Sequence, residues 1–150
     1  MRTKGWRPRA TAAAAAAVLA AVLLGACGGG SGEAGDGHDH GGDTPPAFEE
    51  AQATTTVDAK LRNFVFDGIP GTVTGPNVLF RARNEGPIDH ELLVVDSGGA
   101  VVGAVEDIRP GASRTLAVSL PPGAYTVECR IKEGSKLHTD FGMKTSLTVE

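Results

Sequence analysis

From Thr54 onward the chain is written in short runs in which every second residue is apolar. Val57, Ala59 and Leu61 alternate ahead of Phe64-Val65-Phe66, and Val78, Phe80 and Ala82 alternate with Leu79, Arg81 and Arg83. Such a period of two predicts strands with one buried face. His90 to Val95 has no polar outer face after Glu91, which predicts a central strand buried on both sides. Further strands are expected over Ala100–Val105, around Leu116, Val118 and Leu120, through Tyr125, Val127 and Cys129, and through Leu147 and Val149. Between them lie turn signals: Asp67 to Pro76, Asn84-Glu85-Gly86-Pro87, Asp96-Ser97-Gly98-Gly99, Arg109-Pro110-Gly111 and Pro121-Pro122-Gly123. No long 3.6-residue period follows residue 54, so the expected class is all-β, a sandwich or barrel.

The first part of the chain has a different pattern. Arg2, Lys4, Arg7 and Arg9 precede an apolar run from Ala10 to Leu24, which ends in Leu24-Gly25-Ala26-Cys27. A basic start, an apolar centre and small residues at the end form a secretory signal peptide, residues 1–26. The run falls short of the roughly 20 residues that span a bilayer as a helix. The LGAC ending resembles the bacterial lipobox. The resemblance implies cleavage before Cys27, acylation of its thiol with palmitate-type chains, and a protein held on the extracytoplasmic face of the cell membrane. Residues 27–53 follow as a glycine-rich, acidic tether without Lys or Arg. It is expected to be disordered, because it has too little apolar surface to offset its ordering entropy. As a coil it would span about 25–30 Å. His38 and His40 lie in it; His-rich tracts can bind metal weakly, but a solvated linker is the preferred reading.

The folded region, residues 54–150, carries little chemistry, and what it carries is concentrated. Once Cys27 is acylated, Cys129 is the single thiol left, so an intramolecular disulfide is excluded. His90 and His138 are the region's histidines, and Met143 is the chain's one methionine after Met1. Three of the four fall in the spacing C-x8-H-x4-M, on one strand–loop–strand unit; His90 opens a separate strand. Thiolate, imidazole and thioether are the soft and borderline donors that copper prefers. Two imidazoles and a thiolate with a weak axial thioether suit both Cu(I) and Cu(II). Each residue alone also has a plainer reading: Cys129 as core, His90 as a satisfied sheet histidine, Met143 as filler. Taken together with the spacing, the joint metal reading is the better one.

The sequences NEGPIDHELLVV around His90 and LPPGAYTVECRIKEGSKLHTDFGM around Cys129, His138 and Met143 resemble the cupredoxins, the blue or type 1 copper family. The likeness runs from Thr54 to Glu150. It implies a cupredoxin-like Greek-key β-sandwich of about seven to eight strands and one type 1 copper ion. By that resemblance the ligands are His90, Cys129, His138 and, axially, Met143. The Cys-to-His gap is longer than in the small plastocyanin-like members, and the added stretch is Arg130 to Leu137. The implied role is a monomeric, membrane-anchored carrier of single electrons between a donor and an acceptor redox protein. Copper delivery, or a metal-free binding module on the same fold, are the alternatives. No nucleophile–base pair and no glycine-rich phosphate loop is present, so the chain is not read as an enzyme. A net charge of −4, with basic residues that do not cluster with aromatics, gives no support for nucleic-acid binding.

Overall fold

The structure is a computed structural model that describes residues 42–150. The signal peptide, Cys27 and the His38/His40 tract lie outside the described residues. Among the described residues no helix is long and apolar enough to cross a membrane.

Two sheets face each other. One has β1 (Thr55–Arg62), β2 (Val65–Asp67), β4 (Asn77–Asn84) and β7 (Ser113–Ser119), in the order β2-β1-β4-β7. The other has β3 (Thr72–Val73), β5 (His90–Asp96), β6 (Val101–Ile108), β8 (Gly123–Glu128) and β11 (Lys144–Val149), in the order β3-β11-β8-β5-β6. A separate hairpin joins β9 (Lys132–Glu133) to β10 (Lys136–Leu137). The chain changes sheet between β2 and β3, β3 and β4, β4 and β5, β6 and β7, and β7 and β8. β1 runs parallel to β4, and β11 parallel to β3; the other pairs are antiparallel. This is a Greek-key sandwich.

The period-two reading accounts for the core. Val57, Ala59 and Leu61 are buried from β1, while Asp58, Lys60 and Arg62 between them are exposed. They meet Phe80, Leu92, Val94, Leu116, Val118, Val127 and Leu147 in one apolar cluster. β5 is buried on both faces, as its lack of a polar phase implies: Leu92 and Val94 face this core, and Leu93 and Val95 join Ala104 in a second cluster. Gly103 lets the sheets close up on this side. A Cβ there would lie 3.0 Å from Val118 Cγ2 and 3.2 Å from Leu116 Cδ2.

Among the described residues, the segment ahead of Thr54 already bonds to both sheets. Thr44 N–H donates to the Ala104 carbonyl on β6, and Ala104 N–H donates back to Thr44 Oγ1 at 2.8 Å. Ala47 N–H donates to Ala117 O on β7, Asp43 pairs with Arg114, and a short 3-10 turn covers Glu50–Gln52. The segment bridges the outer edge strands of both sheets and so covers edges that would otherwise offer unpaired backbone. It binds through backbone and polar groups, which composition does not register.

Phe80 is fully buried at the centre of the core. Phe80→Ala should cost about 3–5 kcal/mol, read as a lower urea midpoint with an unchanged slope.

Candidate metal centre

At one end of the sandwich three loops converge. His90 is the first residue of β5, Cys129 follows the last residue of β8, and Met143 precedes the first residue of β11. β5, β8 and β11 are neighbours in one sheet, so its hydrogen-bond ladder sets the spacing of the three. His138 opens a 3-10 turn, His138–Phe141, after the β9–β10 hairpin. The turn ends at Gly142, whose φ of 100° is a conformation that favours glycine. Met143 N–H donates to His138 O at 3.0 Å, and Cys129 N–H to Met143 O at 3.2 Å. The long Cys-to-His stretch folds out as the hairpin and comes back: His138 N–H donates to Ile131 O at 2.8 Å.

Two residues that the sequence reading did not single out hold the loops. Asn84, fully buried at the end of β4, donates through Nδ2 to Ile88 O and Ile108 O, both at 2.7 Å, and accepts from Gly86 N–H at 2.8 Å. It thereby pins the turn that leads into His90. Glu91 is buried, and its Oε1 accepts the Arg130 N–H at 2.6 Å, tying the start of β5 to the residue after Cys129. A polar residue at a turn or beside a histidine was the available signal. Sequence pattern shows neither its partner nor its burial.

His90, Cys129 and His138 are all buried, and one potential ligand atom from each lies within 4.8 Å of the others. Cys129 Sγ and His138 Nδ1 are 3.3 Å apart. The two imidazoles meet at a centroid distance of 5.2 Å and an interplanar angle of 66°. Met143 is fully buried, next to Cys129 and His138 by the backbone bonds above. Among the described residues, neither ring nitrogen of His90 has a hydrogen-bond partner, nor has His138 Nε2. Native proteins seldom bury polar atoms unpaired, because each costs about 1–3 kcal/mol. A donor set left open in this way fits a metal ion that would take up the lone pairs.

The electrostatics agree with that fit. Burial pushes His90 down to about 4, helped by His138 and opposed by Asp89. Burial also lowers His138, against Glu133. The Cys129 thiol is pushed up to about 12 by burial, while N–H bonds from Glu91 and Ile131 to the sulfur pull the other way. Both imidazoles are therefore neutral, with lone pairs available. The thiol keeps its proton until a metal displaces it.

The class is now defined: an all-β Greek-key sandwich of the cupredoxin fold, with a buried His-Cys-His cluster at one end. No protein-family model and no curated protein sequence matches the chain. Among solved structures it is similar to dithionite-reduced auracyanin from the photosynthetic bacterium Roseiflexus castenholzii, at 21% identity and a TM-score of 0.54, over 65% of this chain and 98% of that one. It is also similar to auracyanin B, at 18% identity and a TM-score of 0.58, over 73% of this chain and 96% of that one. At these identities the likeness concerns the fold. Together with the converged donors, that fold supports a single type 1 copper site.

A pH dependence follows from the buried imidazole. An unfolded His90 takes its proton near 6.5, the folded one only near 4. Between those values the unfolded state binds more protons, so stability falls as pH is lowered. The metal-free protein should show a lower urea midpoint at about pH 5 than at about pH 7, and His90→Gln should shrink the difference, leaving the part due to His138. Equal midpoints in the wild type would count against a buried neutral His90.

Proposed function

We propose that the protein is a lipid-anchored type 1 copper protein that carries single electrons between redox proteins outside the cytoplasm. The observation that carries this is the buried group of His90, Cys129 and His138, in which both ring nitrogens of His90 and Nε2 of His138 have no hydrogen-bond partner among the described residues. In the proposal these three hold the ion and Met143 serves as the weak axial ligand. Copper held so supplies a one-electron couple, Cu(II)/Cu(I). The chain's part is to keep the donors fixed. The β5–β8–β11 ladder sets His90, Cys129 and Met143, the Ile131 bond sets His138, and Asn84 and Glu91 lock the loops between. A centre with few ways to rearrange needs little reorganisation when its charge changes. Burial of all four residues favours a retained ion over one handed on to another protein.

The site is tested by adding Cu(II) to the metal-free full-length chain and recording visible absorption and electron paramagnetic resonance. One equivalent should bind, with an intense thiolate-to-copper band. Cys129→Ser should keep the fold and lose the band, together with most of the rise in melting temperature that copper gives the wild type. An unchanged band in Cys129→Ser would end the type 1 reading. Tight Cu(I) binding with no band would favour delivery.

The anchor rests on Leu24-Gly25-Ala26-Cys27 after the basic and apolar segment. Cys27→Ser should move the protein from the membrane fraction to the soluble one, or leave it uncleaved. Wild type found soluble with an unacylated N-terminus would refute the anchor.

A further inference from the structure

His138 is only 1% exposed, and aromatic rings lie beside it. The Phe64 ring meets it edge-on at 4.9 Å between centroids, at 78°. Phe64 in turn stacks on Phe141 at 4.5 Å and 26°. Phe141 is 43% exposed, and Lys136 Nζ lies 5.5 Å from its centroid. Phe64 thus stands between a buried candidate ligand and a ring that reaches solvent.

Phe64 holds this place at a cost. β1 and β2 pair with Arg62 opposite Val65, so Asn63 and Phe64 form a two-residue connection. Phe64 has a φ of 58°. In this conformation glycine or asparagine is usual, and a bulky residue is an outlier. Asn63 sits next to it, so the turn reads Asn-Phe where Asn-Gly would close the hairpin without strain. A second cost lies alongside: His138 Nε2 is buried with no hydrogen-bond partner among the described residues. Backbone strain and an unpaired polar atom in one place are retained where the surroundings use them.

We infer that Phe64 is a positioning residue, whose strained backbone sets its ring against His138 so that, with Phe141, it keeps water from that imidazole. The cap itself is a property of the metal-free chain. Its consequence rests on the copper reading above: a dry, apolar surround disfavours the more highly charged Cu(II) state and so raises the reduction potential.

Two arms test this separately. The first uses the metal-free full-length protein and diethyl pyrocarbonate, with carbethoxylation of each histidine followed by peptide mass spectrometry. His138 should react slowly in the wild type and several-fold faster in Phe64→Gly and Phe64→Ala, with His90 still protected as a sign of an intact fold. Phe64→Gly relieves the backbone strain that Phe64→Ala keeps, so it should melt higher than Phe64→Ala and remain folded if the alanine variant does not. Phe64→Tyr should restore protection. An unreactive His138 in folded Phe64→Gly would overturn the cap. The second arm measures the copper-loaded reduction potential, which should fall in Phe64→Gly and return in Phe64→Tyr. An unchanged potential with a newly reactive His138 would overturn the tuning role. If the wild type takes up no copper, the copper reading fails while the first arm still decides the cap.

Discussion

The structure turns on the burial of imidazole nitrogens that have no hydrogen-bond partner among the described residues. His90 offers two such atoms and His138 one, all at the end of a close-packed sandwich. An apolar core could fill that end with leucine and avoid the penalty. Here the penalty stands, and the surrounding bonds keep it from being relieved by movement. Asn84 spends its amide on the turn before His90, Glu91 spends a carboxylate oxygen on Arg130, and Gly142 closes the turn after His138. Each removes a route by which a ring could swing out to water.

The two sheets serve this arrangement unequally. The β3-β11-β8-β5-β6 sheet supplies the ends from which His90, Cys129 and Met143 emerge, so their separation is fixed by backbone pairing. The other sheet supplies backing: Phe80, Leu61, Leu116 and Val118 close the core from behind. It also contributes from its margin, through Asn84 at the end of β4 and Phe64 at the β1–β2 turn. The site is thus framed by one sheet and locked by side chains from the other. Disturbing either sheet would loosen the donors.

Much of this was legible in the sequence, for a physical reason. Strand faces announce themselves by alternation, and scarce residue types by their scarcity. Val57, Ala59 and Leu61 gave the phase of β1, and Glu91 was the last polar residue before a strand buried on both faces. The spacing C-x8-H-x4-M and the lone His90 named the residues that the structure brings together as His90, Cys129 and His138, with Met143 buried beside them. What stayed hidden depends on partners far apart in sequence. Asn84 looked like an ordinary turn residue, yet its amide reaches Ile108 on β6. Residues 43–47 looked like tether, yet they bond to Ala104 and Ala117. Phe64 read as one more strand residue, since a positive φ leaves no mark in an apolar run.

The length of the Cys129–His138 connection shows how such a frame absorbs added chain. Extra residues between two ligands would ordinarily free the second to wander, since each adds conformational entropy. Here Lys132–Glu133 and Lys136–Leu137 pair with each other, so the added length leaves and returns at nearly the same point. The return is fixed twice, by His138 N–H on Ile131 O and by Leu137 N–H on Asp140 Oδ2 at 2.8 Å. As far as His138 is concerned, the loop is short: its backbone is one hydrogen bond from the second residue after Cys129. The same logic explains why the 3-10 turn carries both His138, facing inward, and the exposed Phe141. One short turn thus carries the buried ring and the outer ring together.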